Sequence, residues 1–155
     1  MTAPTPALTA SPTRRRATLG AMWGGLALTI AVTVYAFIDD GTTRLLAGHI
    51  QASYPSYDAG EIETAVALYL GILVTVGGVG VLTWAAVIWA TARGKRWTPW
   101  AATLVLVAAA CVVLSGLTVR DTSGDVGLVP LLAWLQVLPC VLGLVAVVQL
   151  WRQRR

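Results

Sequence analysis

The sequence predicts an all-α integral membrane protein in which four transmembrane helices form an antiparallel bundle. Of its 155 residues, 57% are hydrophobic and only 12% are charged, whereas roughly 25% of the residues in a soluble domain are charged. The apolar residues lie in four blocks, at about 18–38, 64–91, 98–119 and 128–151, and no block contains Lys, Arg, Asp, Glu or His. Each block reaches the roughly 20 residues that a helix needs to cross a bilayer. The alternating runs of a β-barrel are missing, so the spans are predicted to be helices.

The first block is predicted to be an uncleaved first span. It follows the basic run 14–16, as the apolar part of a secretory signal peptide would. Its apolar core is longer than the roughly 7–15 residues of such a signal, and no A-x-A cleavage site ends it. Residues 1–16 are rich in Pro, Ala, Ser and Thr and end in arginines. They are predicted to be a disordered, basic cytoplasmic tail, and residues 17–155 are predicted to form the transmembrane domain.

The basic residues predict the orientation of the bundle. With four crossings, nine of the eleven Lys and Arg residues fall on one side of the membrane, and only Arg44 and Arg120 fall on the other. Loops rich in Lys and Arg face the cytoplasm, so both termini are predicted to be cytoplasmic. The acids agree, because all seven fall on the outer side: Asp39, Asp40, Asp58, Glu61, Glu63, Asp121 and Asp125.

The same basic residues explain the net charge of +4 as topology anchors that suit an anionic inner leaflet. The lipid bilayer is therefore the expected partner, and no nucleic-acid partner is predicted. The richness in Ala, Val, Gly and Arg, with a single Lys, is typical of a GC-rich bacterial genome. We expect a multi-pass protein of the bacterial plasma membrane.

The only long connection is the outer segment, residues 39–63, between the first and second spans. Its residues Leu45, Leu46, His49 and Ile50 have the spacing of one face of a helix. This spacing predicts a short interfacial helix that lies on the membrane surface. Further along, the stretch 54–57 contains a proline between two tyrosines and is predicted to turn the chain toward the second span.

Two pairs of acids in the outer segment have different expected roles. Asp58 and Glu61 have the spacing of a capping box, in which each side chain binds the backbone N–H of the other at the start of a helix. Asp39 and Asp40 instead stand at the end of the first span, where the helix dipole disfavours anions. Arg44 is expected to offset their charge. A local conflict of this kind can indicate a functional position.

The outer segment is also the candidate interaction surface, since loops often carry function. The candidate residues are His49, Tyr54, Tyr57, Asp39 and Asp40. A metal site is not predicted, because the chain has one histidine, no cysteine near it and no pair of ligands at helical spacing. We expect no cofactor. His49 is interpreted as an interfacial residue that faces headgroups or binds a carbonyl group.

Small and polar residues within the spans are predicted to pack helices together. Small residues let helix backbones approach closely in lipid, and side-chain amides can form hydrogen bonds between helices. The residues assigned to packing are Gly20, Gly24, Gly71, Gly77, Gly78, Gly80 and Gln136. Pro139 is expected to kink the fourth span, because it removes one backbone hydrogen bond. Cys111 and Cys140 are interpreted as small apolar packing residues.

Three classes of function remain open at this stage. A non-catalytic accessory, assembly or sensing protein fits best, because no span contains Lys, Arg, Asp, Glu or His. It would act on a membrane-protein partner, or as a homo-oligomer, through helix packing and its outer segment. The first alternative is an oligomeric channel or transporter for a small solute. The second alternative is an enzyme of the outer leaflet that uses His49 and the nearby carboxylates as acid and base.

Overall fold

The structure, a computed structural model, describes residues 12–120, 124 and 128–154, and for residues 12–14 it describes the backbone alone. This part of the chain forms six α-helices and no β-strand. The helices are α1 Pro12–Gly41, α2 Leu45–Ser53, α3 Ala59–Ala92, α4 Thr98–Thr118, α5 Pro130–Leu135 and α6 Val137–Arg152. Four stretches are long and apolar enough to cross a membrane: Arg15–Gly41, Ala59–Ala92, Thr98–Thr118 and Pro130–Arg152. The prediction of an all-α chain with four such helices is confirmed.

The first helix begins earlier than the sequence predicts. α1 starts at Pro12, so residues 12–16, which we expected in a disordered tail, are helical. Proline is favoured in the first turn of a helix, where its missing N–H is not needed. The Arg15 guanidinium also donates a hydrogen bond to the carbonyl oxygen of Ala92 at the end of α3. The rest of the predicted tail, residues 1–11, lies outside the described residues, as do Asp121 and Asp125.

The four long helical stretches pack in the order α3, α1, α6, α4. α1 lies between α3 and α6, and α4 packs mainly against α6. α3 and α4 are joined by a short turn, in which Gly94 has a φ of +63° that favours glycine. Beyond this turn they touch each other only sparsely. The bundle therefore has a seam between α3 and α4.

Hydrogen bonds between helices define one end of the bundle, which we call the terminal end. Here Gln153 donates to Thr18 Oγ1 at 2.6 Å, and the Trp151 indole donates to Thr103 Oγ1 at 3.1 Å. An apolar cluster fills this end, made of Met22, Val87, Ile88, Ala102, Ala146, Val147 and Leu150.

A second apolar cluster fills the opposite end, which carries α2 and is called the α2 end. Its buried members come from four helices and from Val129, the residue before α5; they are Ala36, Leu46, Ala47, Ile50, Ile62, Val66, Val129 and Leu132. Because α2 contributes three of these residues, the short helix is part of the packed core. It rests mainly on α3 and α1.

The fourth span is interrupted by a break at Gln136, where α5 ends and α6 begins. A continuous helix would need the amide of residue 139 as a donor to the carbonyl of Leu135, and Pro139 has no N–H. The sequence predicts a kink here. The structure has two separate helices, with Gln136 at their junction.

Candidate functional site

The α2 helix is present where the sequence predicts it, but its inward face is shifted by one residue. Leu46, Ala47 and Ile50 are buried, while Leu45 is 40% exposed and His49 is partly buried. The predicted apolar face included Leu45 and omitted Ala47, so that detail was wrong.

Asp39 starts α2 from outside the helix. Its carboxylate accepts hydrogen bonds from Thr43 Oγ1 at 2.5 Å and from the backbone N–H groups of Leu45 and Leu46, both at 3.2 Å. Asp39 is only 1% exposed. The carboxylate thus binds the free N–H groups of the first turn of α2, where a negative charge is favourable.

This arrangement changes the interpretation of both acids and of Arg44. Asp39 is buried and cannot form part of an exposed interaction surface, while Asp40 is partly buried beside it. The conflict with the α1 dipole is resolved by the N-terminus of α2 and the Thr43 hydroxyl. Arg44 takes a left-handed conformation with a φ of 50°, which folds the chain back over Asp39. Its backbone N–H donates to the Asp39 carbonyl at 2.7 Å.

The other three candidate surface residues lie together in one small aromatic pocket. His49, Tyr54 and Tyr57 line a cavity of about 140 Å³ between α2, the following turn and α3. The rings of Tyr54 and Tyr57 are stacked, with their centroids 4.6 Å apart. The remaining lining residues are Ile50, Ser53, Ala65 and Tyr69. The pocket presents an imidazole, phenol groups and aromatic faces, which suit hydrogen bonding and contacts with apolar or cationic groups.

Tyr69 was missed by the sequence interpretation, which treated it as part of the second span. A signal was available in its spacing: Ile62, Val66 and Tyr69 are separated by four and three residues, which places them on one helix face. Ile62 and Val66 belong to the cluster at the α2 end, and Tyr69 packs against it. Tyr69 therefore forms the part of the pocket wall that α3 contributes, together with Ala65.

The acids nearest to this pocket in sequence form the predicted capping box of α3. Asp58 accepts a hydrogen bond from the Glu61 backbone N–H at 2.8 Å, and Glu61 accepts one from the Asp58 backbone N–H at 2.9 Å. This prediction is confirmed. Both carboxylates are engaged by backbone donors, so their role is to start the helix. Within the described residues no three His, Cys, Asp or Glu side chains group as metal ligands would.

The glycines assigned to packing fall into two sets. A Cβ atom at Gly77 would collide with Thr33 of α1, one at Gly80 would lie 3.1 Å from Thr29, and one at Gly24 would lie 3.2 Å from Leu142 of α6. These glycines allow α1 to approach α3 and α6 closely. Gly20, Gly71 and Gly78 face open space, since a Cβ atom at each would meet nothing within 4 Å.

Two other glycines at helix contacts were not singled out from the sequence. A Cβ atom at Gly25 would collide with the ring of Trp84, and the Trp84 indole donates to Thr29 Oγ1 at 3.1 Å. A Cβ atom at Gly143 would lie 3.2 Å from Leu106 of α4. Gly25 follows directly after the predicted Gly20–Gly24 pair, but nothing in the chain indicates that a tryptophan 59 residues later fills its place.

A larger cavity of about 390 Å³ lies in the middle of the bundle, between the two apolar clusters. Residues of both clusters form its ends, Ala36 and Leu132 on one side and Met22 and Val87 on the other. The seam between α3 and α4 opens it to the side, because Val79 of α3 and Val112 of α4 line the cavity and are also exposed. We call this space the central cavity.

Gln136 lines the central cavity and makes no side-chain hydrogen bond to any residue that the structure describes. The threonine hydroxyl groups around the cavity, in contrast, all have a hydrogen-bond acceptor. Each donates to the backbone carbonyl four residues earlier in its own helix, as Thr29, Thr33, Thr75 and Thr83 do at 2.6–2.8 Å. Gln136 was assigned to packing between helices, and in the structure it lines the cavity.

Comparison with models of protein families, with curated proteins and with solved structures finds no match for this chain.

Proposed function

We propose that the chain is a non-catalytic accessory or sensing protein of a bacterial plasma membrane, with both termini in the cytoplasm and α2 on the outer face. The aromatic pocket is proposed to bind a partner protein or a small ligand there. The orientation is supported by the sequence, in which nine of the eleven Lys and Arg residues lie in the N-terminal segment, the turn between α3 and α4 and the C-terminal segment. The four long helical stretches would then cross the bilayer as an antiparallel bundle, with α2 at the outer interface.

The observation that carries the binding proposal is the convergence of His49, Tyr54 and Tyr57 on one pocket beside Tyr69. These side chains come from α2, the turn after it and α3, so the pocket is formed by the fold and not by a single flexible loop. Tyrosine is enriched where proteins bind one another, because its ring buries area and its hydroxyl makes hydrogen bonds. Tyr57 remains 39% exposed, which leaves its ring accessible to a partner.

The proposal is tested by gentle detergent extraction of the tagged full chain from its native membrane. The native mass of the complex and the identity of any protein that co-purifies in a fixed ratio are then measured. A stoichiometric second protein is expected. A pure homo-oligomer that conducts a solute after reconstitution would contradict the proposal and favour a channel.

Two variants test whether the partner protein binds at the aromatic pocket. His49→Ala and Tyr57→Ala should each lower recovery of the partner by about tenfold, as loss of a residue central to an interface typically does. Gln51→Ala is the matched control, because Gln51 is exposed on the same helix and does not line the pocket. Equal losses for all three variants, or none, would count against the pocket as the binding surface.

A further inference from the structure

We propose that the central cavity binds a neutral, apolar molecule that carries one hydrogen-bonding carbonyl or hydroxyl group and enters from the hydrocarbon layer of the membrane. The cavity volume of about 390 Å³ is within the usual range of small-molecule sites, which is roughly 300–1,000 Å³. Its lining has the usual character of such sites, a predominantly apolar surface with few polar groups, among which are the Gln136 amide and four threonine hydroxyls.

The route of entry limits the class of ligand. The two apolar clusters form the ends of the cavity, and its opening lies on the side, at the seam between α3 and α4. Val79 is 59% exposed and Val112 is 44% exposed at this opening, so in a bilayer the opening faces lipid chains. A molecule dissolved in the hydrocarbon layer can enter there, and a water-soluble solute would first have to cross that layer.

Gln136 determines which part of the ligand is recognised. An amide without a partner in an apolar environment costs free energy, and this cost falls when a ligand supplies the missing hydrogen bond. The Gln136 amide can both donate and accept, so a carbonyl or a hydroxyl group of the ligand would satisfy it. The surrounding threonine hydroxyls already donate to their own helices.

The position of Gln136 argues against an ordinary phospholipid. Gln136 follows the six-residue helix α5, which at 1.5 Å per residue puts it about 9 Å along the span from Pro130. A phospholipid keeps its ester groups near the membrane surface, where the cluster at the α2 end closes the cavity. A molecule that lies wholly within the hydrocarbon layer can instead bring its polar group to the depth of Gln136.

The test uses the full chain in phosphatidylcholine vesicles with three diazirine probes: a long-chain ketone, the matched alkane and a phosphatidylcholine. After illumination, mass spectrometry locates and quantifies the adducts. The ketone is expected to label residues that line the cavity, and an excess of unmodified ketone should suppress this labelling. Adducts spread over all the exposed faces, without saturation, would overturn the proposal. Cavity labelling by the phosphatidylcholine probe that equals labelling by the ketone would overturn the assignment to a free lipophile.

Substitutions distinguish binding of the ketone probe in the cavity from its contact with the outer surface of the bundle. Val112→Trp should block the opening and lower cavity labelling by the ketone about tenfold. Leu114→Trp is the matched control on the same helix, since Leu114 is exposed but does not line the cavity.

Gln136→Leu should lower ketone labelling about three- to tenfold, which corresponds to one hydrogen bond, and leave alkane labelling unchanged. If Gln136→Leu lowers both probes equally, the amide does not recognise the polar group.

Discussion

At the scale of single residues, Asp39 has a role that its position in the sequence conceals. It stands at the C-terminal end of α1, where a negative charge is unfavourable, yet it is buried and accepts hydrogen bonds from Thr43 Oγ1 and from the first two backbone N–H groups of α2. A carboxylate from the last turn of α1 therefore caps the start of α2. Since α2 carries one side of the aromatic pocket, Asp39 helps to position that pocket, although it is not among the residues that line it.

We expect Asp39→Ala to destabilise the α2 end by about 1–3 kcal/mol, because two backbone N–H groups and the Thr43 hydroxyl would lose a buried acceptor. Asp39→Asn keeps one acceptor oxygen and should cost less. Asp40→Ala is the control, since Asp40 is only partly buried and makes none of these bonds. Hydrogen exchange of the α2 amides in detergent measures the effect. Unchanged protection of α2 in Asp39→Ala would contradict this role.

Gln136 is the second residue whose role depends on its surroundings. From the sequence it is a polar group in an apolar span, for which a hydrogen bond between helices is the natural interpretation. In the structure it lies where α5 meets α6, beside a cavity. The absence of a donor at Pro139 explains the break that puts it there.

At the scale of elements, α3 illustrates how one helix serves two environments. Gly77 and Gly80 face α1, while their neighbours Gly71 and Gly78 face open space. The backbone of α3 can therefore lie close to α1 on the side of Gly77 and Gly80, whereas the side of Gly71 and Gly78 contacts no other helix within 4 Å of the position of a Cβ atom. The contact is specific, because Thr33 occupies the space that a side chain at residue 77 would need, and the Thr33 hydroxyl is held by the Thr29 carbonyl at 2.8 Å.

The adjacent glycines 77 and 78 provide a direct comparison. Gly77→Ala should destabilise the bundle by about 1–3 kcal/mol, because the new methyl group would push α3 away from α1. Gly78→Ala should be neutral or slightly stabilising, because alanine favours helix and nothing lies within 4 Å of its Cβ. Thermal unfolding in detergent, followed by circular dichroism, measures both. Equal midpoints for the two variants would show that α1 and α3 do not meet at Gly77.

At the scale of the whole molecule, the two ends of the bundle differ in construction. The terminal end is closed by hydrogen bonds between helices, from Gln153 to Thr18 and from Trp151 to Thr103. The α2 end is closed by a short helix and an apolar cluster. The middle is the least filled part, and the sparse contact between α3 and α4 leaves it open to the side.

The proposed orientation of the whole molecule has a direct test in cysteine labelling. In a chain with Cys111 and Cys140 replaced by Ala, Gln51→Cys should react with a membrane-impermeant maleimide in intact cells. Lys95→Cys, in the turn between α3 and α4, should react only after the membrane is permeabilised. Both positions are exposed, so accessibility within the protein is matched. The reverse pattern would place the termini outside, and equal labelling of both in intact cells would argue against a single orientation.

The sequence by itself determined the features that depend on composition and on neighbours along the chain. The four membrane-length helices follow from apolar blocks without charges. The start of α3 at Ala59 follows from the spacing of Asp58 and Glu61. Both are local, because a helix satisfies its own backbone hydrogen bonds and a capping box spans four residues.

Only the tertiary structure decided which of these elements meet and what lies between them. The burial of Asp39, the contact between Gly25 and Trp84, the convergence of His49 with Tyr69 and the central cavity all join residues from different helices. Every span is apolar around its whole circumference, so hydrophobic periodicity does not distinguish a face toward a neighbour from a face toward lipid. Close packing of particular side chains makes that choice, and it is visible only when the helices are in place.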